Sequence, residues 1–248
     1  MSDFNRSYPR PAPAAADMAV DTGLRAFMLG VYNKVGLGLL ISAALAYVTS
    51  TVAPVRDLLF QVSADGRFVG MTLLGMIVAF SPIAVLLIGR MAFKQSPRSS
   101  GVVYWLVVAL FGASLGDIAL IYQVNSIFMT FLITAVAFGS LSLVGYTTKK
   151  DLTAFGSFLI VGLVGLILAS VLNIFVHSSA LAFVVNIVGV LIFAGLIAFD
   201  TQRLKMTYYQ LGGDQAAMGV ATNYGALSLY LDFLNLFLFL LRLMGGRR

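Results

Sequence analysis

The stretch Leu191–Lys205, LIFAGLIAFDTQRLK, decides how this chain is read. Nine apolar or small residues lead without a charge to Asp200, and Arg203 and Lys205 follow within about one and a half helical turns. A carboxylate closing a hydrophobic helix is costly, and such residues mark functional positions in membrane proteins. A second carboxylate, Asp232, stands in SLYLDFLNLF at 228–237. The two aspartates read as the working site of a polytopic membrane protein, and the rest of the chain as the bundle that holds them.

Composition agrees. Of 248 residues 60% are hydrophobic and 10% charged, with a mean hydropathy of +0.95. Soluble domains carry about 25% charged residues because their surface faces water; here most of the surface must face lipid. The net charge of +6 comes from bases in short loops between apolar runs. They form no continuous patch, so nucleic acid is excluded as a partner and the lipid bilayer takes its place. There is no cysteine, and His177 is the single histidine. That removes disulfides, thiolate chemistry and multi-histidine metal sites.

The expected fold is all-α: a disordered, Pro-rich tail over residues 1–23, then a membrane domain over 24–248. Seven hydrophobic segments, at about 28–52, 68–92, 101–121, 124–146, 153–175, 180–203 and 222–243, each approach the roughly 20 residues that cross a bilayer. With the N-terminus cytoplasmic, 11 Lys and Arg residues fall on the inner side and 5 on the outer side, as the positive-inside rule requires. The outer group includes Arg242, Arg247 and Arg248. A seventh segment that re-entered instead of crossing would bring these inside, and the sequence leaves both arrangements open.

Ser228, Asp232 and Asn235 fall at i, i+4 and i+7, on one helical face. On an otherwise lipid-compatible helix, such a stripe faces the bundle interior or a water-filled cavity. It is read as an ion pathway, with a structural hydrogen-bonding role as the plainer alternative. Asp200 has its own plain alternative, a helix-end charge paired with Arg203 at i+3. Arg90, in LLIGRMAF, lies at the inner end of the second segment, where it can reach Asp200 or serve as a topology anchor.

Two catalytic readings fail. GASLG at 112–116 has the spacing of a nucleophile elbow but lies within an apolar helix instead of a strand-to-helix turn. Gly112 and Gly116 there read as a GxxxG packing face. The aspartates also invite comparison with intramembrane aspartyl proteases. Phe199-Asp200 and Leu231-Asp232 do not match the Tyr-Asp and Gly-x-Gly-Asp motifs of those enzymes, and no Pro follows Pro97. No catalytic residue and no enzyme activity are expected. Pro82, inside the second segment, is expected to kink it.

FDTQRLK at 199–205, LYLDFLNLFLFLLRLMGGRR at 229–248, the central stretch 114–159 and SPIAVLL in the second segment resemble the bacterial branch of the Bax inhibitor-1 family. The resemblance spans about residues 25–248. It implies a seven-helix bundle with the last helix central, in a bacterial inner membrane. It also implies a pH-sensitive calcium leak, gated by Asp200, Asp232 and Arg90. Asp232, with Ser228 and Asn235, then offers oxygen ligands to transient Ca²⁺, and no resident cofactor is expected. Some bacterial relatives instead bind and restrain a membrane-anchored ATP-dependent protease, which makes regulation without transport the alternative. The 204–221 stretch is expected to be a long connection.

Overall fold

The structure, a computed structural model, describes residues 22–92 and 96–247, with side chains throughout except at 90–92. The expected tail therefore lies outside the described residues up to position 21. From Thr22 the chain is helical: α1 (Thr22–Thr51), α2 (Ala53–Leu59), α3 (Leu73–Ala92), α4 (Pro97–Ser114), α5 (Gly116–Ile121), α6 (Val124–Thr147), α7 (Thr153–Val176), α8 (Ser179–Leu211) and α9 (Gln215–Met244). Among the described residues six units are long and apolar enough to cross a membrane, namely α1, α4 with α5, α6, α7, α8 and α9; α3 is a shorter apolar helix over Leu73–Gly89. The protein is an all-α polytopic membrane protein.

Short polar signals set the helix ends. Ser96 and Ser99 form a reciprocal capping box at the start of α4, with Pro97 in the first turn. His177 takes a left-handed conformation (φ 53°) that ends α7, and Ser178 caps α8 by accepting from Leu181 N. The single histidine is thus a turn residue. Gly212 and Gly213, both at positive φ, turn the chain between α8 and α9, where Asp214 accepts from Ala216 N and Ala217 N.

The expectations need correction at three places. The segment expected from residue 68 starts later, at Leu73, because α2 is followed by an antiparallel hairpin, β1 (Phe60–Val62) with β2 (Phe68–Met71). The segment expected at 101–121 starts at Pro97 and is interrupted at Leu115. The 204–221 stretch is not a long connection: α8 runs to Leu211, α9 begins at Gln215, and the loop is three residues. The reason is that these helices continue past the hydrocarbon on packed aromatics, such as Tyr208 against Phe27 of α1 with ring centroids 5.6 Å apart. Hydropathy loses the signal there, while helical hydrogen bonding does not.

α9 is the most enclosed of the spans. Its main packing partners are α8, α1, α4 and α6, whereas α7 packs mainly on α8 and α3 on α4. Phe233 of α9 lies against Phe131 and Phe138 of α6, and Phe239 stacks on Phe193 of α8. At 30 residues, about 45 Å at 1.5 Å per residue, α9 crosses the whole bundle. Its far end meets the α5–α6 turn, where Gln123 N donates to Gly246 O and Tyr122 bridges Arg247. The last segment is one unbroken helix, long and apolar enough to cross a membrane.

Lipid offers no hydrophobic drive for helix association, so close backbone approach has to supply the packing. Gly145 of α6 gives one such approach, since a Cβ there would strike the Ala198 carbonyl of α8. Gly112 gives another, its missing Cβ lying 2.6 Å from Ser42 Cα of α1. Ser114, next to it, donates to Phe111 O of its own helix at 2.9 Å. GASLG is therefore a packing face. Gly145→Ala is expected to destabilise the protein by about 1–3 kcal/mol through overpacking, seen as a lower thermal midpoint in detergent. Gly139→Ala, on the same helix with open space around it, should leave the midpoint unchanged.

Candidate functional site

Successive residues of a helix step round its axis by about 100°, so consecutive side chains face different neighbours. Over 200–205 of α8 this distributes one contact to each element nearby. The carboxylate of Asp200 accepts from the hydroxyl of Ser228 on α9 through Oδ2, and its Oδ1 lies 3.3 Å from Arg203 Nη2. Thr201 donates to Ser142 of α6 at 3.4 Å. Gln202 grips the α6–α7 loop at both ends of its amide, donating to Lys150 O at 2.7 Å and accepting from Leu152 N at 2.8 Å. Leu204 fills the space beside Gly225 of α9. Lys205 donates to Tyr146 O, in the last turn of α6, at 2.8 Å, where a cation suits the negative end of the helix dipole.

Asp200 and Asp232 are both buried, at 5% and 6% exposure, and they differ in how they are satisfied. Both oxygens of Asp200 are occupied, one by Ser228 and one by Arg203. Oδ2 of Asp232 is buried without a hydrogen-bond partner. Asp200 and Arg203 are the charged neighbours of Asp232. The two carboxylates are therefore one electrostatic unit at the α8–α9 contact.

Arg203 closes the unit on its exposed side. Its side chain is half exposed while that of Asp200 is 8% exposed. Its guanidinium lies 5.7 Å from the centre of the Phe199 ring and 3.4 Å from Ser228 Oγ. The local pairing at i+3 and the contact between the two carboxylates therefore coexist. Arg90 lies in the last turn of α3, on a helix whose main partners are α4 and α2, and its side chain is outside the described residues.

The stripe Ser228, Asp232 and Asn235 shares one face, and that face lines a cleft of about 480 Å³ between α9, α8 and α7, walled by Leu163, Leu166 and Phe193 among others. Asn235 donates to Leu231 O of its own helix at 2.8 Å, which leaves its carbonyl oxygen for the cleft. Among the described residues no group of three His, Cys, Asp or Glu side chains is close enough to hold a metal ion. The roles of Ser142 and Gln202 carry no signal in the sequence, because a lone hydroxyl or amide in a helix has no spacing that names its partner. The Ser228–Asp200 contact was half visible: the stripe gave the face but not the residue opposite.

Residues 24–248 match the family described as inhibitor of apoptosis-promoting Bax1. A protein of Caulobacter vibrioides is 61% identical over the full length of both chains. One from Rickettsia prowazekii is 42% identical over 92% of each. The inner membrane protein YbhL of Escherichia coli is 40% identical over 91% of this chain and 94% of its own. With nearly the whole described chain matched, and the FDTQRLK and LYLDFLNLF segments meeting at one buried contact, this protein is a member of the Bax inhibitor-1 family.

Proposed function

We propose that the protein lies in a bacterial inner membrane with its N-terminus cytoplasmic and passes calcium along the α7–α9 cleft, under control of Asp200, Asp232 and Arg203. It acts as a leak pathway and not as an enzyme. The observation that carries the reading is the asymmetry of the pair: Asp200 is held on both oxygens, while the Asp232 oxygen buried beside it has no partner. A buried polar atom without a partner costs about 1–3 kcal/mol, and a structure keeps such an atom where something else binds it.

A hard divalent cation suits that position. Calcium takes six to eight oxygens in a tight site. The Asp232 carboxylate, the Asn235 carbonyl and the Ser228 hydroxyl offer fewer, which suits passage over storage. Control comes from charge. The Asp200 carboxylate holds Arg203 and Ser228 across the α8–α9 contact and keeps the cleft closed at that end. Loss of charge on the carboxylate pair removes the attraction for Arg203 and frees Ser228, which makes the flux depend on pH. Arg90, on α3, remains a candidate third partner from the family resemblance, and Arg203 supplies the cation in the geometry seen here.

The inner-membrane setting draws on the YbhL relative, and the orientation on the distribution of bases. With no native cysteine, a single introduced one reports sidedness cleanly. Lys150→Cys is expected to be shielded from an impermeant thiol reagent in intact cells, and Arg247→Cys to react; the opposite pattern reverses the topology.

Reconstituted calcium flux tests the gate. Wild-type liposomes should pass calcium above the level of empty liposomes, at a rate that differs between pH 5 and pH 8. Asp200→Asn is expected to leak at a high rate, and Asp232→Asn to lose most of the flux. Equal leakage from protein-containing and empty liposomes across that range would end the proposal.

A further inference from the structure

The outer face of Arg203 looks onto a second space, a cavity of about 670 Å³ between the end of α6, the α6–α7 loop and α8. Lys149, Lys150, Arg203 and Lys205 line it, against one carboxylate, Asp151. Asp151 is committed elsewhere: it accepts from the backbone N–H and the hydroxyl of Thr153 at 2.8 and 2.6 Å. Those bonds hold its carboxyl below the usual carboxylate range, so it stays a single fixed negative charge. Four positive side chains face one negative, and with Arg203 paired to Asp200 about two positive charges are left unbalanced. Lys149 and Lys150 are exposed, and among the described residues neither has a carboxylate partner. Gln202 pins the loop from both sides, so the lysines are presented by a fixed backbone.

The surroundings define the ligand. Exposed apolar residues of the neighbouring helices, Phe155 and Met206 among them, continue beside the cavity. That places it where a hydrocarbon surface gives way to charged loops, the level of lipid headgroups. Thr148 also lines it; its hydroxyl accepts from Lys150 N, which leaves its proton for an oxyanion. A guanidinium and two ammonium groups with a hydroxyl donor are the chemistry that binds phosphate.

We propose that this cavity binds a phosphate-bearing anion between Lys149, Lys150 and the outer edge of Arg203, and that its occupation draws Arg203 away from Asp200. The guanidinium has donors for both sides but one charge to share, so a dianionic or monoanionic phosphate competes with the Asp200 carboxylate. Binding stands independently of transport; only its effect on flux rests on the gate proposed above.

Native mass spectrometry of the full-length protein, with phosphatidylglycerol as the probe, tests the site. Wild type is expected to retain phosphatidylglycerol over phosphatidylcholine. Lys149→Gln with Lys150→Gln should weaken retention roughly 30-fold, at about fivefold for each charge. Restoring charge with Lys149→Arg and Lys150→Arg should restore it. Arg98→Gln, a charge loss at the start of α4 outside this cavity, controls for bulk electrostatics. Displacement of the lipid by inorganic phosphate assigns the site to free phosphate, and retention through phosphate assigns it to the headgroup. Equal retention by the double Gln variant, the Arg98 variant and wild type overturns the proposal. In liposomes, added phosphatidylglycerol should raise calcium flux several-fold in wild type and leave the double Gln variant unmoved. If neither protein transports calcium while retention still depends on the lysines, the gate fails and the site stands.

Discussion

Two carboxylates buried against one another set the terms for everything around them. In a hydrocarbon surround neither can be left to water, so each must be answered by a group of the protein or by a ligand. Asp200 is answered twice, by Ser228 from the neighbouring helix and by Arg203 from one turn along its own. Asp232 is answered only in part. To bring these groups together, α8 and α9 must approach closely and hold a fixed register. The packing serves that end: Leu204 lies in the space left by Gly225, Ala198 against Gly145, and the Phe193–Phe239 stack secures the two helices further along.

The membrane architecture was legible because lipid imposes a simple rule on sequence. Long apolar stretches must be helices, since every backbone N–H and C=O has to be paired within the segment. The order of the segments follows, and Asp200 and Asp232 stand out by a cost that is visible without coordinates. What escaped was governed by water or by partners. The Phe60–Met71 hairpin and the aqueous extensions of α8 and α9 lie where hydropathy carries no information. Only the two positive-φ glycines and the Asp214 cap mark the true turn, and 204–221 looked like a loop because it is polar, although polar residues make good helices outside lipid.

The candidate site was legible in the helical face it occupies and not in its wiring. Periodicity put Ser228, Asp232 and Asn235 on one face, as the cleft confirms. It could not say that Ser228 would reach across to Asp200, nor that Asn235 would spend its amide hydrogen on Leu231. Arg203 shows the difficulty most plainly. At i+3 from Asp200 it looks like an ordinary surface pair, worth little where water is plentiful. Its importance comes from facing a buried acceptor on one side and a basic cavity on the other, and that is a property of the fold around it.

That double exposure also explains why the FDTQRLK segment is so densely used. A helix emerging from lipid passes through the depth at which a charged side chain can touch buried groups and headgroups within its own length. Arg203 stands where α8 passes from buried to exposed, with Gln202 tying the α6–α7 loop beside it and Lys205 closing the end of α6. Any change in the loop is therefore felt at the arginine, and any change in the arginine at the carboxylate pair. The contact needs no large motion to transmit it. A guanidinium shifting by an ångström or two between Asp200 and an anion bound as proposed would alter the charge balance at Asp232, because a low dielectric makes each interaction large. The same low dielectric that makes the buried pair costly makes it responsive.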